Sequence, residues 1–397
     1  MAELLKVDDI GGAIASDDDY GARLTVDLDA LAENWRSCRA MSGNARCAAV
    51  VKADAYGLGA VHAGNALYEA GCRDFFVATA REGAELRPHA PDARIYVMNC
   101  ILPGIEMICR AAELVPVLAS MEQVAWWSAH CIEMDEHPCA LQVDTGMNRL
   151  GVTVEEALDL ANDVSRPAGF APVLVMSHLA SSDDPNHPQN TAQLERFRRV
   201  ADAFDGVEAS LAASAGILLG PDYHFDLTRP GIALYGGRAA NQGDTPLRVV
   251  ATAEARIMSI RQARAGETVS YGATVELSRD SRIAVCSVGY ADGYLRSVSG
   301  SGVPLRDVIA NGASGWIKGQ AAPVLGRVTM DITAFDVTDV PAGSIAAGDF
   351  IELFGPNIPV DDVADAAGTI GYEVLTSLGK RYRRYYIRPQ SEPSGDG

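Results

Sequence analysis

The chain is short of positive charge, of paired cysteines and of long apolar runs. Of its 397 residues, 33 are Lys or Arg against 52 Asp or Glu, a formal net charge of −19. A surface of that sign repels phosphate backbones and anionic lipid, so nucleic-acid and membrane-surface roles are disfavoured. No apolar run reaches the ~18 residues that a membrane span needs. The N-terminus, MAELLKVDDIGG, lacks the basic-then-apolar order of a signal peptide. The eight cysteines (38, 47, 72, 100, 109, 131, 139 and 286) include no C-x-x-C pair. In a chain this long they read as reduced thiols, and a cytoplasmic location is expected. H-x-x-x-H and H-x-E spacings are missing, so no metal is expected. G-x-S-x-G and G-x-x-x-x-G-K sequences are missing as well.

The remaining composition, 48% hydrophobic and 21% charged, is that of an ordinary globular protein. Its length predicts two or three domains, or one barrel with an appendage. Residues 1–20, with the run Asp17-Asp18-Asp19, read as a poorly ordered lead-in, and 391–397 as a disordered tail. Between about 46 and 230 lie eight near-continuously apolar runs: RCAAVVK, FFVATA, RIYVM, LVPVLA, CALQVD, VLVMSH, VEASLAAS and FDLTR. Strands covered on both faces look like this. Helical stretches such as VHAGNALYEAGC, VEEALDLANDVS and TAQLERFRRVADAF intervene. Eight strands alternating with helices favour an α/β fold of (β/α)8 TIM-barrel type over an open doubly wound sheet. From about 247 the rhythm changes to strand, turn, strand, rich in Gly and Asp. That predicts a second, mostly antiparallel β domain, with ETVSYGATVEL among its strands. The expected division is 21–246 for the barrel and 247–390 for the β domain.

Catalytic groups of a barrel sit at the C-terminal ends of its strands. Reading off those ends gives Lys52, Asp144, His178, Ser214 and Arg229. A lysine at the rim of an apolar strand is partly desolvated, which lowers its pKa and suits it to condensing with an aldehyde. A surface lysine snorkelling off a strand is the alternative; Tyr56 and the turn at Gly57 and Gly59 weaken it. Ser214 with Arg229-Pro230-Gly231-Ile232 suggests a phosphate site built after strands seven and eight. A plain serine cap and turn would give the same residues. His178 and Arg229 are equally compatible with satisfied structural groups, although an arginine in the apolar LTRPGIALYG must find a partner. A phosphate across the barrel mouth from an imine-forming lysine describes pyridoxal phosphate rather than a nucleotide.

Eight collinear segments then resemble one family, bacterial alanine racemase. They are AVVKADAYGLG, VDTGMNRLG, SHLASSDDP, RPGIALYG, VSYGATV, VGYADGY, GRVTMD and IGYE, spread over about 320 residues. The resemblance implies an N-terminal barrel, a C-terminal β domain, and a homodimer whose active sites are completed by the partner. It also implies that the strand near ARLTVDL (22–28) packs with the C-terminal domain. Lys52 would hold pyridoxal 5'-phosphate and act as acid or base on one face of the substrate, with Tyr271 of the other subunit on the opposite face. Arg229 would face the pyridine nitrogen, and Arg149 the cofactor's phenolic oxygen and the substrate carboxylate. Tyr56, Ser214, Gly231, Ile232 and Tyr372 would hold the phosphate, and His178 would link Tyr271 to Arg229. The N–H of Met330 from the partner subunit would help hold the carboxylate. Tyr290 and Tyr372 would narrow an entrance flanked by Asp183, Arg296 and Arg327.

These residue types suit racemisation. Two bases fixed on opposite faces avoid moving one base across the plane. An arginine at the pyridine nitrogen cannot usefully give up its proton, so that nitrogen stays an acceptor and the carbanion is short-lived. Two positions depart from the family. Gln142 stands where many members have a lysine, leaving open how Arg149 is oriented, and Thr329 stands where cysteine is frequent. The expected activity is interconversion of L- and D-alanine, supplying D-alanine for peptidoglycan or serving its catabolic counterpart. The alternatives are a broader racemase acting on serine, lysine or other amino acids, a barrel decarboxylase, and a non-enzymatic cofactor carrier. Arg229 and Tyr271 disfavour the decarboxylase, and a second domain disfavours the carrier.

Overall fold

In the computed structural model the described residues are 3–6, 20–99, 104–134, 137–241, 247–299 and 312–388. They divide into two compact units. One comprises Leu31–Leu234 with Arg238–Leu247; the other comprises Met1–Ala30, Tyr235–Gly237 and Arg248–Gly397. Residues 21–30, whose strand near 22–28 the resemblance assigns to the C-terminal domain, and residues 235–237, within the range expected for the barrel, cluster with the β unit. Within the hand-over expected near 240–248, residues 242–246 lie outside the described residues, as does the tail 391–397.

Strands β1 (Glu3–Lys6) and β2 (Ala22–Asp27) precede the barrel in sequence. The barrel strands are β3 (Arg46–Cys47), β4 (Ala49–Val50), β5 (Asp74–Val77), β6 (Arg94–Val97), β7 (Leu114–Leu118), β8 (Cys139–Gln142), β9 (Pro172–Met176), β10 (Glu208–Ser210) and β11 (Leu227–Thr228). β4 to β10 form one parallel sheet in sequence order. β11 pairs in parallel with β3, and Ala213 bridges to Arg229, so the sheet closes on itself. All eight expected runs are strands, with RCAAVVK split into β3 and β4. Residues of β5, β7 and β8 are buried throughout, as strands with helices outside and a filled barrel inside must be.

The barrel's N-terminal end is closed by charge. Arg46, Asp74, Arg94 and Glu208 each open a strand. Asp74 takes ion pairs from Arg46 (3.1 Å) and Arg94 (3.0 Å), while Glu208 takes both Arg46 (2.5 Å) and Arg94 (3.0 Å). Further in, Phe76 stacks on Tyr96 with centroids 4.5 Å apart, and the Arg229 guanidinium lies 5.8 Å from the Phe76 ring. The strands thus run from an ionic floor through an aromatic layer to the mouth.

The second unit holds β12 (Ala251–Ala263), β13 (Thr268–Val269), β14 (Val275–Glu276), β15 (Ser281–Cys286), β16 (Ser314–Ile317), β17 (Gln320–Leu325), β18 (Thr333–Asp336), β19 (Phe350–Phe354) and β20 (Tyr382–Arg388). Its nine-stranded sheet runs β1-β20-β2-β12-β15-β18-β17-β16-β19, with β12 also paired to β19. β2 pairs with β12 and β20, in this sheet and outside the barrel. Residues 3–6 of the expected lead-in form β1, antiparallel to β20. β2, β18 and the first half of β12 alternate buried with half-buried residues, the period-2 pattern of one-sided sheets. The segment ETVSYGATVEL is a hairpin instead of one strand. Ser270 and Gly272 adopt positive φ (65° and 76°), which turns the chain between β13 and β14 and puts Tyr271 at its tip.

The seven described cysteines are unpaired and buried. No helix among the described residues is long and apolar enough to cross a membrane.

Candidate active site

Lys52 follows β4 and opens a turn of unusual hand. Ala53, Asp54, Ala55 and Tyr56 have φ of 54°, 55°, 52° and 57°, four consecutive left-handed residues with no glycine among them. Each costs about 1–2 kcal/mol relative to the right-handed form, so the surroundings must impose the turn. Ala55 donates to Val51 O (2.9 Å) and Gly59 to Asp54 O (2.9 Å), while Asp54 Oδ1 accepts from Ala60 N (2.7 Å). The result holds Lys52 at the mouth, open to solvent on one side, and sends Tyr56 inward, where it is buried. Crowding by protein, then the positive charge of Arg149, hold the Lys52 amine below its ordinary pKa, against the opposing pull of Glu82.

Tyr56 ends beside Gly231. A Cβ on Gly231 would lie 2.2 Å from the Tyr56 hydroxyl, so only glycine lets the two approach. The Gly231 N–H donates to Ser214 Oγ (2.8 Å), with Ala233 N a longer 3.4 Å away. The N–H of Ile232, first residue of the short helix Ile232–Tyr235, finds no acceptor among the described residues. Hydroxyls from the first and seventh strand ends thus gather with the backbone donors after the eighth, of which the Ile232 N–H is free, a set suited to an anionic group.

Arg229 is 3% exposed, yet its hydrogen bonds go to neutral oxygens: Ser210 Oγ, Ser177 O (2.6 Å) and Leu211 O (3.4 Å). Burial lowers its pKa to about 10, so the guanidinium stays charged at neutrality. His178 is the counterpart. Burial, then Arg229, Arg149 and Lys52, hold its imidazole down at about 3, so it is neutral under ordinary conditions. Four basic groups therefore share the mouth, and the histidine is the one that gives up its charge.

Ser177 and Gln193 brace this set, and neither was legible beforehand. Ser177 Oγ donates to Val143 O (2.7 Å) and pairs with Thr145 Oγ1 (2.8 Å). Fully buried Gln193 donates to Thr145 Oγ1 (3.1 Å) and to His178 O (2.9 Å), and accepts from Ala180 N (2.8 Å). Nothing marks Gln193 within its polar helix, Pro188–Ala203. Glu82 was also missed, although Thr79-x-x-Glu82 is a readable capping-box signature. Asp144 accepts from the N–H groups of Gly146, Met147 and Asn148, shaping the loop that carries Arg149. Gln142 does not reach Arg149; its amide donates to Val143 O at 3.4 Å. Arg149 itself is exposed. Asp183 is exposed and tied to Asn241, which donates side chain and backbone to it (2.9 Å each).

In the β unit, Tyr290 N donates to Thr329 O and Ala291 N to Met330 O (3.0 Å each), so Tyr290 and Met330 are neighbours. The Met330 N–H finds no acceptor among the described residues. Ser270 Oγ donates to Arg327 O (2.8 Å), and the Arg327 guanidinium packs on Gly272, bringing Arg327 under the Tyr271 turn. Arg296 O accepts from Ser299 Oγ (2.6 Å), which accepts from Val328 N (2.8 Å), so Arg296 joins the same region. Tyr372 lies in the helix Gly371–Thr376 and is exposed. Tyr271 is 73% exposed and Met330 53%, unusual for groups of that kind unless something covers them. No group of metal-ligating side chains is present among the described residues.

Residues 26–239 match the family profile "Alanine racemase, N-terminal domain" and residues 250–386 "Alanine racemase, C-terminal domain". The biosynthetic alanine racemase of Agrobacterium fabrum is 64% identical over 92% of this chain and 93% of its own. The catabolic one of the same organism is 43% identical over 94% and 93%. Among solved structures, an alanine racemase from Bartonella henselae with covalently bound pyridoxal phosphate superposes with a TM-score of 0.84 at 36% identity, covering 92% of this chain and 99% of that one. The Streptomyces coelicolor enzyme gives 0.85 at 31%, covering 94% and 100%.

Proposed function

This chain belongs to the alanine racemase family, an isomerase family, and on that premise we propose that it interconverts L- and D-alanine using two bases and pyridoxal 5'-phosphate. The observation that carries the reading is the charge pattern at the barrel mouth: around His178 stand the Lys52 amine, held below its ordinary pKa by burial and Arg149, and the buried Arg229 guanidinium, whose hydrogen bonds go only to neutral oxygens.

The residues fit the cofactor. Lys52 supplies the amine for its aldehyde, and the glycine-lined gap of Tyr56, Ser214, Gly231 and Ile232 supplies donors for its phosphate, with Tyr372 as a further hydroxyl. When bound, the cofactor spreads the electron pair left at the substrate's α-carbon. Lys52 Nζ takes or returns a proton on one face. The phenolic oxygen of Tyr271 from the partner subunit does so on the other, and His178, neutral and beside Arg229, links Tyr271 to Arg229. Arg229, charged at neutrality, would keep its own proton and leave a pyridine nitrogen placed against it unprotonated. That limits charge withdrawal from the α-carbon and favours prompt reprotonation over transamination. Arg149 and the free N–H of Met330 from the partner subunit grip the substrate carboxylate. Tyr290 and Tyr372 narrow the entrance, with Asp183, Arg296 and Arg327 further out along it.

The high exposure of Tyr271, Tyr290, Met330 and Ile370 supports a homodimer in which each subunit completes the other's site. A cytoplasmic role supplying D-alanine for peptidoglycan fits the 64% identity to a biosynthetic relative. The test is racemisation of L-alanine beside L-serine and L-lysine, followed by optical rotation and by carbon dioxide release. Alanine should lose rotation fastest, without carbon dioxide, and Lys52→Ala should be inert. Equal turnover of serine or lysine, or an active Lys52→Ala, would overturn the reading.

A further inference from the structure

We propose that Glu82 is a positioning residue for Lys52, its carboxylate tying the left-handed turn to the loop after β5. Glu82 Oε2 accepts from Ala78 N (2.6 Å) and Thr79 N (3.2 Å), and Thr79 Oγ1 accepts from Glu82 N (3.2 Å). That exchange is a complete capping box for the helix Ala80–Leu86 and needs no second oxygen. Oε1 nevertheless reaches across to the N–H of Ala53 (3.0 Å), the residue next to Lys52. Helix capping leaves that contact unexplained.

The contact falls where the turn most needs it. The later residues of the turn are held by Val51, Asp54 and Ala60, whereas at the lysine's end Glu82 is the side chain that fixes the backbone. Of the charged groups acting on the amine, Arg149 is positive and lies on another strand's loop, His178 is neutral, and Glu82 is the counter-charge. A carboxylate can serve both sides at once, the Ala78 and Thr79 N–H groups with one oxygen and the Ala53 N–H with the other. A glutamine has one accepting oxygen and must release one of them. Position and charge are thus coupled in one side chain on the neighbouring strand's loop.

The inference rests on Lys52 being the cofactor-holding lysine, so Lys52→Ala runs beside the test variants. The holoenzymes of Glu82→Gln, Glu82→Asp and Thr79→Ala are compared by cofactor attachment after borohydride reduction, visible absorbance against pH, kcat and KM, and melting temperature. Glu82→Gln should lower kcat at least about tenfold with little change in KM, and move the pH limb of the absorbance down by roughly one unit. Thr79→Ala loses half the capping box but spares the Ala53 contact. It should melt lower with an unchanged pH profile. If Glu82→Gln does not fold, Glu82→Asp decides: it keeps the charge without the reach, so kcat should fall while the pH limb stays. Wild-type kcat and pH profile in Glu82→Gln, or wild-type kcat in Glu82→Asp, would reduce Glu82 to a cap. Should Lys52→Ala still be fixed by borohydride at wild-type level, the reading of Lys52 falls instead.

Discussion

The strain of the Lys52 turn can be measured by replacing Ala53 with glycine. Ala53 is exposed, has a φ of 54°, and its side chain is a single methyl, so Ala53→Gly removes little beyond the Cβ that disfavours the left-handed form. Relief of that clash contributes about 1–2 kcal/mol. The greater freedom of glycine in the unfolded chain takes back about 0.4–1 kcal/mol. The net effect is therefore between about zero and 1.6 kcal/mol of stabilisation. The same exchange at Ala192, inside the right-handed helix Pro188–Ala203, should destabilise by about 1 kcal/mol. The sign of the difference between the two variants is diagnostic, and urea midpoints of the purified proteins read it. Activity should move the other way: a looser turn no longer presents Lys52 in one orientation, so kcat for Ala53→Gly falls although the protein is at least as stable. If Ala53→Gly destabilises as much as Ala192→Gly, the turn is not strained as described.

Two further outcomes follow from the barrel's two ends. Asp74→Ala removes a buried carboxylate that serves both Arg46 and Arg94, and should cost about 2–3 kcal/mol because Glu208 still holds both arginines. Its kcat should be unchanged, since this floor is at the opposite end from the site, and a large loss of kcat at full folding would contradict that separation. At the mouth, His178 titrates at about 3 when folded but near 6.5 when unfolded, so the unfolded chain takes up the proton first. Its contribution is complete above pH 6.5 and is lost as pH falls toward 3. Over that window His178→Asn should lose stability less steeply than the wild type, by up to about 1.4 kcal/mol per pH unit. Equal slopes would refute the burial of a neutral imidazole.

Much of this was legible because the barrel strands are buried on both faces. Segments such as FFVATA and LVPVLA carry no alternation to misread, and their polar ends fall at the mouth by the geometry of the fold. The β unit was harder. Its sheet joins β2 to β12 and β20 across more than two hundred residues, and nothing local in ARLTVD announces such partners. The hairpin at Tyr271 was hidden because Ser270 takes a positive φ without being glycine or asparagine. The left-handed run was hidden for the same reason: Ala-Asp-Ala-Tyr favours right-handed helix, and tertiary contacts from Glu82 and the Gly231 gap override it. At Gln142 the orientation of Arg149 was left open, and the amide donates to the neighbouring Val143 carbonyl and not to Arg149.

The account turns on the two bases belonging to different subunits, and mixing two dead variants measures this directly. Lys52→Ala and Tyr271→Phe are each expected to be inactive, so they are mixed, dissociated and reassociated at equal concentration. In a mixed dimer one site carries both lesions and the other carries neither. With random pairing, activity should return to about a quarter of the wild-type rate. If the mixture stays as inactive as its parents while mixed dimers are detected by mass, the lysine and the tyrosine act within one chain, and the shared site is wrong.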